Sequence, residues 1–296
     1  MRMVDVSRSL PTGPALGLDQ LRAGVRRVLP NASYTAGAAI LLPVVLLALT
    51  APWLPIADPL KPHVLLSFSP PSFAHPLGTD KLGREILSRT LAGLRISLLV
   101  GFASAALALL VGLVVGTLAG YLGKGVDRAV TAAVDVLLSF PALLLAITAV
   151  AVFGNGIVQV ILALTVAGLP LAIRLQRALT LGLKSRAYID AARLANAPAW
   201  WILIRHVVPN TLPPMIVVAS LHASNAIIAE ATLSFLGLGI TPPHPSLGNL
   251  IAEGRPFLQD AWWISTMPGI AIALVSVSLH LFSDGVREHL DPRLSI

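Results

Sequence analysis

The sequence predicts an all-α polytopic membrane protein with six transmembrane helices. Three observations carry that expectation. The chain is 55% hydrophobic and only 12% charged, where soluble domains carry about 25% charged residues. Its mean hydropathy is +0.81. Uncharged apolar runs recur along it, and about 18 such residues suffice to cross a bilayer as a helix.

The elements follow in order. Residues 1–35 form a polar N-terminal tail with Arg2, Arg8, Arg22, Arg26 and Arg27. A cleavable signal peptide would place its apolar core nearer Met1, so this tail is expected to be retained. The first span covers 36–57 and contains Pro43. An external loop, 58–95, follows. Pro59, Pro62, Pro70, Pro71 and Pro76 make its first half irregular. From Thr79 the pattern changes. Thr79 or Asp80 suits a helix N-cap, and Leu82, Ile86, Leu87, Leu91 and Leu94 recur at three- and four-residue spacing. A short amphipathic surface helix before the second span fits this spacing; a solvated connector is the alternative.

A core of five spans occupies 96–284. The second runs from Ile96 to Leu122. The uncharged stretch from Val136 to Ile173 is too long for one helix, and Gly154-Asn155-Gly156 is a turn signal within it. It therefore divides into spans at 136–153 and 157–173. The fifth lies within 212–236 and the sixth within 261–283. A polar loop, 174–210, separates the fourth and fifth spans, and a tail, 285–296, closes the chain.

Lys and Arg placement sets the orientation. With both termini inside, fifteen basic residues fall in cytoplasmic segments and six outside. The external loop is a mild exception, with Lys61, Lys81, Arg84, Arg89 and Arg95. The net charge of +7 is spread between apolar runs rather than gathered in one patch, which excludes a nucleic-acid surface. Cys is absent, so disulfide and thiol chemistry are unavailable.

Within the spans, Gly112, Gly116 and Gly120 lie at i, i+4 and i+8 on one face, where another helix can approach closely. A subunit interface and packing within the chain are equally compatible with this stripe. Glu230 is the one clear carboxylate inside a span. A charge there costs about 2.5–3.5 kcal/mol on insertion scales, so it must face protein or a wet cavity. Glu230 and Asn225 are the candidates for lining a translocation path, although His222, Ser220 and Asn225 do not share one polar stripe with Glu230. The other reading of Glu230 is a hydrogen-bonded structural carboxyl. His280 is expected to be packed.

The loop 174–210 is the most informative segment. Residues Ala187 to Ala195 are good helix formers. Asn196 then suits a left-handed backbone that turns the chain, and Pro198 suits the first turn of a second helix. Trp200, Trp201, Ile202 and Ile204 give that helix an apolar face, and Pro209 is expected to stop it before the fifth span. His206 reads as a packed or capping histidine rather than a ligand. Asp190 is free either to pair with a basic residue of a partner or to cap locally.

The order Tyr188, Asp190-Ala191-Ala192, Asn196, Trp200, His206 and Pro209 resembles the cytoplasmic "EAA" loop of bacterial ABC-importer permeases. Asp190 stands where that family has Glu, and Asn196 where it usually has Gly. The run His75-Pro-Leu-Gly-Thr-Asp80-Lys-Leu-Gly-Arg84-Glu-Ile-Leu-Ser-Arg89 is similar to the segment entering the core of dipeptide and oligopeptide permeases of the "C" type. So are Ser234-Phe-Leu-Gly-Leu-Gly239, Pro245-Ser-Leu-Gly-Asn249, Glu253-Gly-Arg255 and the tail motifs Asp284-Gly285 and Asp291-Pro-Arg293. The resemblance spans about residues 36–296. It implies the type I importer permease fold in the bacterial inner membrane, with 174–210 as the coupling loop. It also implies a second homologous permease, two ATPase subunits that hold ATP and Mg, and an extracytoplasmic substrate-binding protein. The family handles peptides, glutathione and nickel.

No catalytic or metal-binding residue emerges. The sequence lacks a GxxxxGK[ST] phosphate loop, an HExxH zinc site and a GxSxG nucleophile elbow; its seven His are scattered. An ion-coupled secondary transporter, the more distant alternative, would show inverted repeats and intramembrane charge pairs, and neither is visible.

Overall fold

The computed structural model of the protein describes residues 32–290. Most of the N-terminal tail and the last six residues lie outside that range. The described chain is helical, with a lone bridge between Thr79 and Glu85. The helices are α1 (Ala32–Thr50), α2 (Ile86–Leu122), α3 (Lys124–Leu138), α4 (Ala142–Phe153), α5 (Ile157–Lys184), α6 (Ala187–Leu194), α7 (Ala199–Ile202), α8 (Val208–Phe235), α9 (Leu247–Gly254) and α10 (Trp263–Leu290). Five stretches are long and apolar enough to cross a membrane, and six if the bent pair α3–α4 counts as one.

Several boundaries differ from the sequence expectation. Thr79 and Asp80 do not cap a helix, and no separate amphipathic helix precedes the second span. The chain turns tightly at 79–85, and α2 then runs unbroken from Ile86 to Leu122. Ile86, Leu87, Leu91 and Leu94 of the periodic set belong to this one long helix, and Leu82 lies in the turn before it. The segment between the second and third predicted spans lies in the amphipathic α3, joined to α4 through Ser139-Phe140-Pro141 at a bend of 97°. The third span is thus a broken helix. Pro209 does not stop α7 either. A π-turn over Leu203–Val207 links α7 directly into α8. Pro209 has no N–H and its ring crowds the carbonyl four residues back, and the wider turn sits where that conflict arises.

Helix α2 is the axis of the bundle. Val100 packs with Ala146 and Val150 of α4, Val160 and Leu164 of α5, and Ala226 and Leu233 of α8. On its other side Leu94 and Leu98 meet Ile227 of α8, Leu247 and Leu250 of α9, and Val275 and Leu279 of α10. The glycine stripe faces α5 of the same chain. A Cβ on Gly112 would lie 2.7 Å from the Ala172 Cβ, on Gly116 2.7 Å from the Gln176 Cβ, and on Gly120 2.8 Å from the Thr180 Cβ. Packing within the chain, not a subunit contact, is what these glycines serve.

The contacts also sort the ends of the bundle. Tyr121 at the end of α2 and Leu183 at the end of α5 pack on Ile189, Ile202 and Val207. Arg177 near the end of α5 pairs with Asp127 near the start of α3. Tyr34 of α1 stacks on Phe282 of α10, ring centroids 5.2 Å apart. At the opposite end, Ile86 and Leu77 pack on Trp263 and Ile264. Each span therefore runs opposite to the one before it, and α1 begins on the side where α10 ends.

This arrangement puts Ser72 and Ser185, both exposed, on opposite sides of the membrane. Single cysteines at Ser185→Cys and Ser72→Cys are expected to react with an impermeant thiol reagent from the inside only and the outside only, respectively. Labelling of both from one side would contradict the six-pass arrangement.

Candidate functional site

The loop between the fourth and fifth spans folds into a compact two-helix element. Asn196 has a positive φ of 56°, as the turn requires. Its amide donates to the Arg193 carbonyl (2.9 Å), and the Ala197 amide donates to the Ala192 carbonyl (3.1 Å). This is the bonding of a Schellman-type helix end, in which a left-handed residue lets the chain recover orphan carbonyls. Pro198 is the N-cap of α7 rather than its first helical residue; its extended backbone still starts the second helix.

The element has a buried underside. Ile189, Ile202 and Val207 are buried against Tyr121, Leu183 and Ala192. The Lys184 ammonium donates to the Tyr121 carbonyl at 2.6 Å, and the Arg193 guanidinium lies 5.5 Å from the centre of the Tyr121 ring. His206 is half-buried, with Trp201 edge-on at 5.0 Å and Tyr188 at 5.9 Å between ring centres. It is a packing residue. Asp190 is exposed and pairs with Arg193 one turn on at 3.2 Å, so it forms a local ion pair and not a cap.

The outer face is apolar and open. Leu194 is 85% exposed, Ile204 65% and Trp200 63%. Three large apolar side chains exposed on one small element have the composition of a protein-docking patch. The underside of the element ties it to the ends of α2 and α5, and the π-turn carries it into α8. The patch is therefore joined to three spans by packing and chain continuity.

The path candidates separate. Glu230 is fully buried. The Ser97, Ser234 and Ser246 hydroxyls donate to its carboxyl at 2.6, 2.9 and 3.0 Å. These partners lie on α2, on α8 and just before α9, so Glu230 ties three elements together. Asn225 is exposed and borders a cavity among α2, α4, α5 and α8. His280 is packed as expected, its Nδ1 2.7 Å from the Ser224 hydroxyl.

Sequence reasoning missed an ion clamp at the opposite end of the bundle. The Asp80 carboxylate accepts from the backbone amides of Leu82 and Arg84 at 2.8 and 2.9 Å. It also accepts from Arg84 Nε and Arg89 Nη1, both at 2.6 Å. The same arginines reach Glu253 of α9 at 3.0 and 2.9 Å. The basic excess of the external loop is thus partly neutralised in place. Asp80, Arg84 and Arg89 sit at i, i+4 and i+9, a spacing visible in the sequence, but the Glu253 partner is 164 residues from Arg89.

The described residues form a helical bundle of five spans, or six with the bent pair, carrying an exposed apolar element at one end. The chain belongs to the family described as binding-protein-dependent transport system inner membrane components, which residues 112–296 match. It is 41% identical to a putative peptide transport system permease protein of Brucella suis biovar 1, covering 96% of this chain and 95% of that one. It is 37% identical to the di/tripeptide permease DppC of Pseudomonas aeruginosa, with 89% of each chain covered. Over 76% of this chain and 74% of that protein it is 42% identical to the glutathione permease GsiD of Pectobacterium atrosepticum. A chain of the inward-facing MetNI methionine ABC transporter shares the fold, at a TM-score of 0.58 and 18% identity, covering 70% of this chain and 98% of that one.

Two outcomes follow from this geometry. Asn196→Gly is expected to keep the turn, whereas Asn196→Pro, locked near φ −65°, is expected to misdirect α7 and uncouple ATP hydrolysis from uptake in the reconstituted complex. Asp80→Ala removes one of the two carboxylates paired with the buried Arg89 and leaves Glu253; it is expected to cost about 1–3 kcal/mol, read as a lower midpoint for thermal denaturation of the purified complex.

Proposed function

We propose that this chain is the permease subunit of an ATP-driven importer of dipeptides or oligopeptides and forms half of its translocation path. The single observation that carries the coupling role is the exposed apolar patch of Leu194, Trp200 and Ile204 on an element fixed to three spans. The peptide substrate is supported by the names of the relatives most fully covered, and glutathione and nickel are the alternatives within the same family.

In this reading the chain works with a second homologous permease, an extracytoplasmic binding protein and two ATPase subunits that hold ATP and Mg. It lies in the bacterial inner membrane with both termini and the docking element in the cytoplasm. Closure of the ATPase pair on ATP displaces the element formed by α6 and α7. The buried underside passes that displacement to α2 and α5, and the π-turn passes it to α8. The tilt of these spans opens the path to one side and closes it to the other. The external clamp keeps the start of α2 and α9 together while this happens.

Leu194→Asp and Trp200→Glu place charge on the docking face without touching its buried underside. Each is expected to lower retention of the ATPase subunits on the purified permease pair by about 2 kcal/mol, and to abolish uptake of a labelled tripeptide in proteoliposomes. Asp190→Arg is expected to weaken docking less, since Asp190 already has Arg193. Full retention in all three variants would remove the coupling role from this surface.

A further inference from the structure

The third span is interrupted at Ser139-Phe140-Pro141, between α3 and α4. Helix α4 has twelve residues from this break to the external end, about 18 Å of helix, so the break sits roughly midway through a hydrocarbon core about 30 Å thick. Irregular backbone at that depth is tolerated only against protein or a water-filled space, never against lipid. Residues 138–144 are exposed on this chain, so the break marks the side of the bundle that lipid does not cover.

A cavity of about 500 Å³ opens beside the break, with Leu138 and Ala142 on its wall. No Asp, Glu, Lys or Arg lines it. Most of the wall is alanine, glycine and leucine, and two polar side chains, Asn225 and His222 of α8, interrupt it. The His222 ring lies against the backbone of α5 at Gly168, where any Cβ would collide with it. Its Nε2 is buried against α5, so His222 packs there and leaves Asn225 as the polar group open to the cavity. Asn225 brings both a donor and an acceptor.

We infer that this cavity is where the chain touches a peptide in transit, with Asn225 hydrogen-bonding its backbone amides. The inference rests on the peptide-importer reading above. Small apolar walls tolerate many side chains, and an uncharged lining holds neither peptide terminus by an ion pair. Backbone amides are what all peptides share, and Asn225 complements both halves of an amide. The result is a weak site indifferent to side-chain identity, as a path requires.

Because the chain has no cysteine, the test can use single replacements in the complete reconstituted complex. A cationic, membrane-impermeant methanethiosulfonate is applied during ATP-driven turnover, and labelling of this chain is followed with and without trialanine. Asn225→Cys is expected to label much faster than Val277→Cys on the apolar, exposed face of α10, and trialanine is expected to slow it several-fold. Asn225→Leu is expected to raise the KM for trialanine uptake several-fold, and Asn225→Gln to restore it. Labelling no faster than at Val277, or labelling that trialanine leaves unchanged, overturns the inference while peptide import itself stands. If the unmodified complex imports no trialanine, the peptide reading falls and this site with it.

Discussion

Gly112, Gly116 and Gly120 bring the backbone of α2 against Ala172, Gln176 and Thr180 of α5, and the rest of the docking end is built on that contact. Dispersion needs close approach, and in lipid it is the main attraction between helices. With any side chain at these positions α2 and α5 would move apart. Tyr121 and Leu183 would then no longer share one cluster with Ile189, Ile202 and Val207. Gln176, fully buried in the same seam, donates to the Thr117 and Thr211 hydroxyls at 2.6 and 3.0 Å. It extends the seam to α8 with hydrogen bonds that an apolar surrounding makes costly to break.

The two ends of the bundle use different chemistry. The end that carries α6 and α7 relies on an apolar underside, two cations, Lys184 and Arg193, over the Tyr121 ring and the Arg177–Asp127 pair. The external end relies on the ion cluster of Asp80, Arg84, Arg89 and Glu253, with Trp263 donating to the Thr79 carbonyl at 3.1 Å. Both arrangements join segments distant in sequence. Between the two ends, the buried carboxyl of Glu230 is held by three serines in place of a cation.

The positions where local rules failed are informative. Pro209 reads as a helix stop because its missing N–H and ring break an α-turn. The π-turn at Leu203–Val207 absorbs the conflict and keeps docking element and span in one piece. The leucine spacing after Thr79 reads as a separate surface helix because periodicity alone does not show where a helix ends. The smooth join to α2 is fixed by the tight turn that Asp80 makes with the Leu82 and Arg84 amides.

By itself the sequence determined the class of protein, the apolar runs behind the spans and the left-handed turn at Asn196. These follow from composition, run length and the conformational preference of single residues, all local quantities. Tertiary structure decided which partner each special residue meets. It turned the glycine stripe inward to α5, closed Glu230 within three hydroxyls, left Asn225 on a cavity wall, broke the third span at Ser139-Phe140-Pro141 and paired Arg89 with Glu253. The physical reason is the same in each case. A close contact, a buried hydrogen bond or an ion pair is a relation between two positions, and a pattern along one chain specifies only one of them.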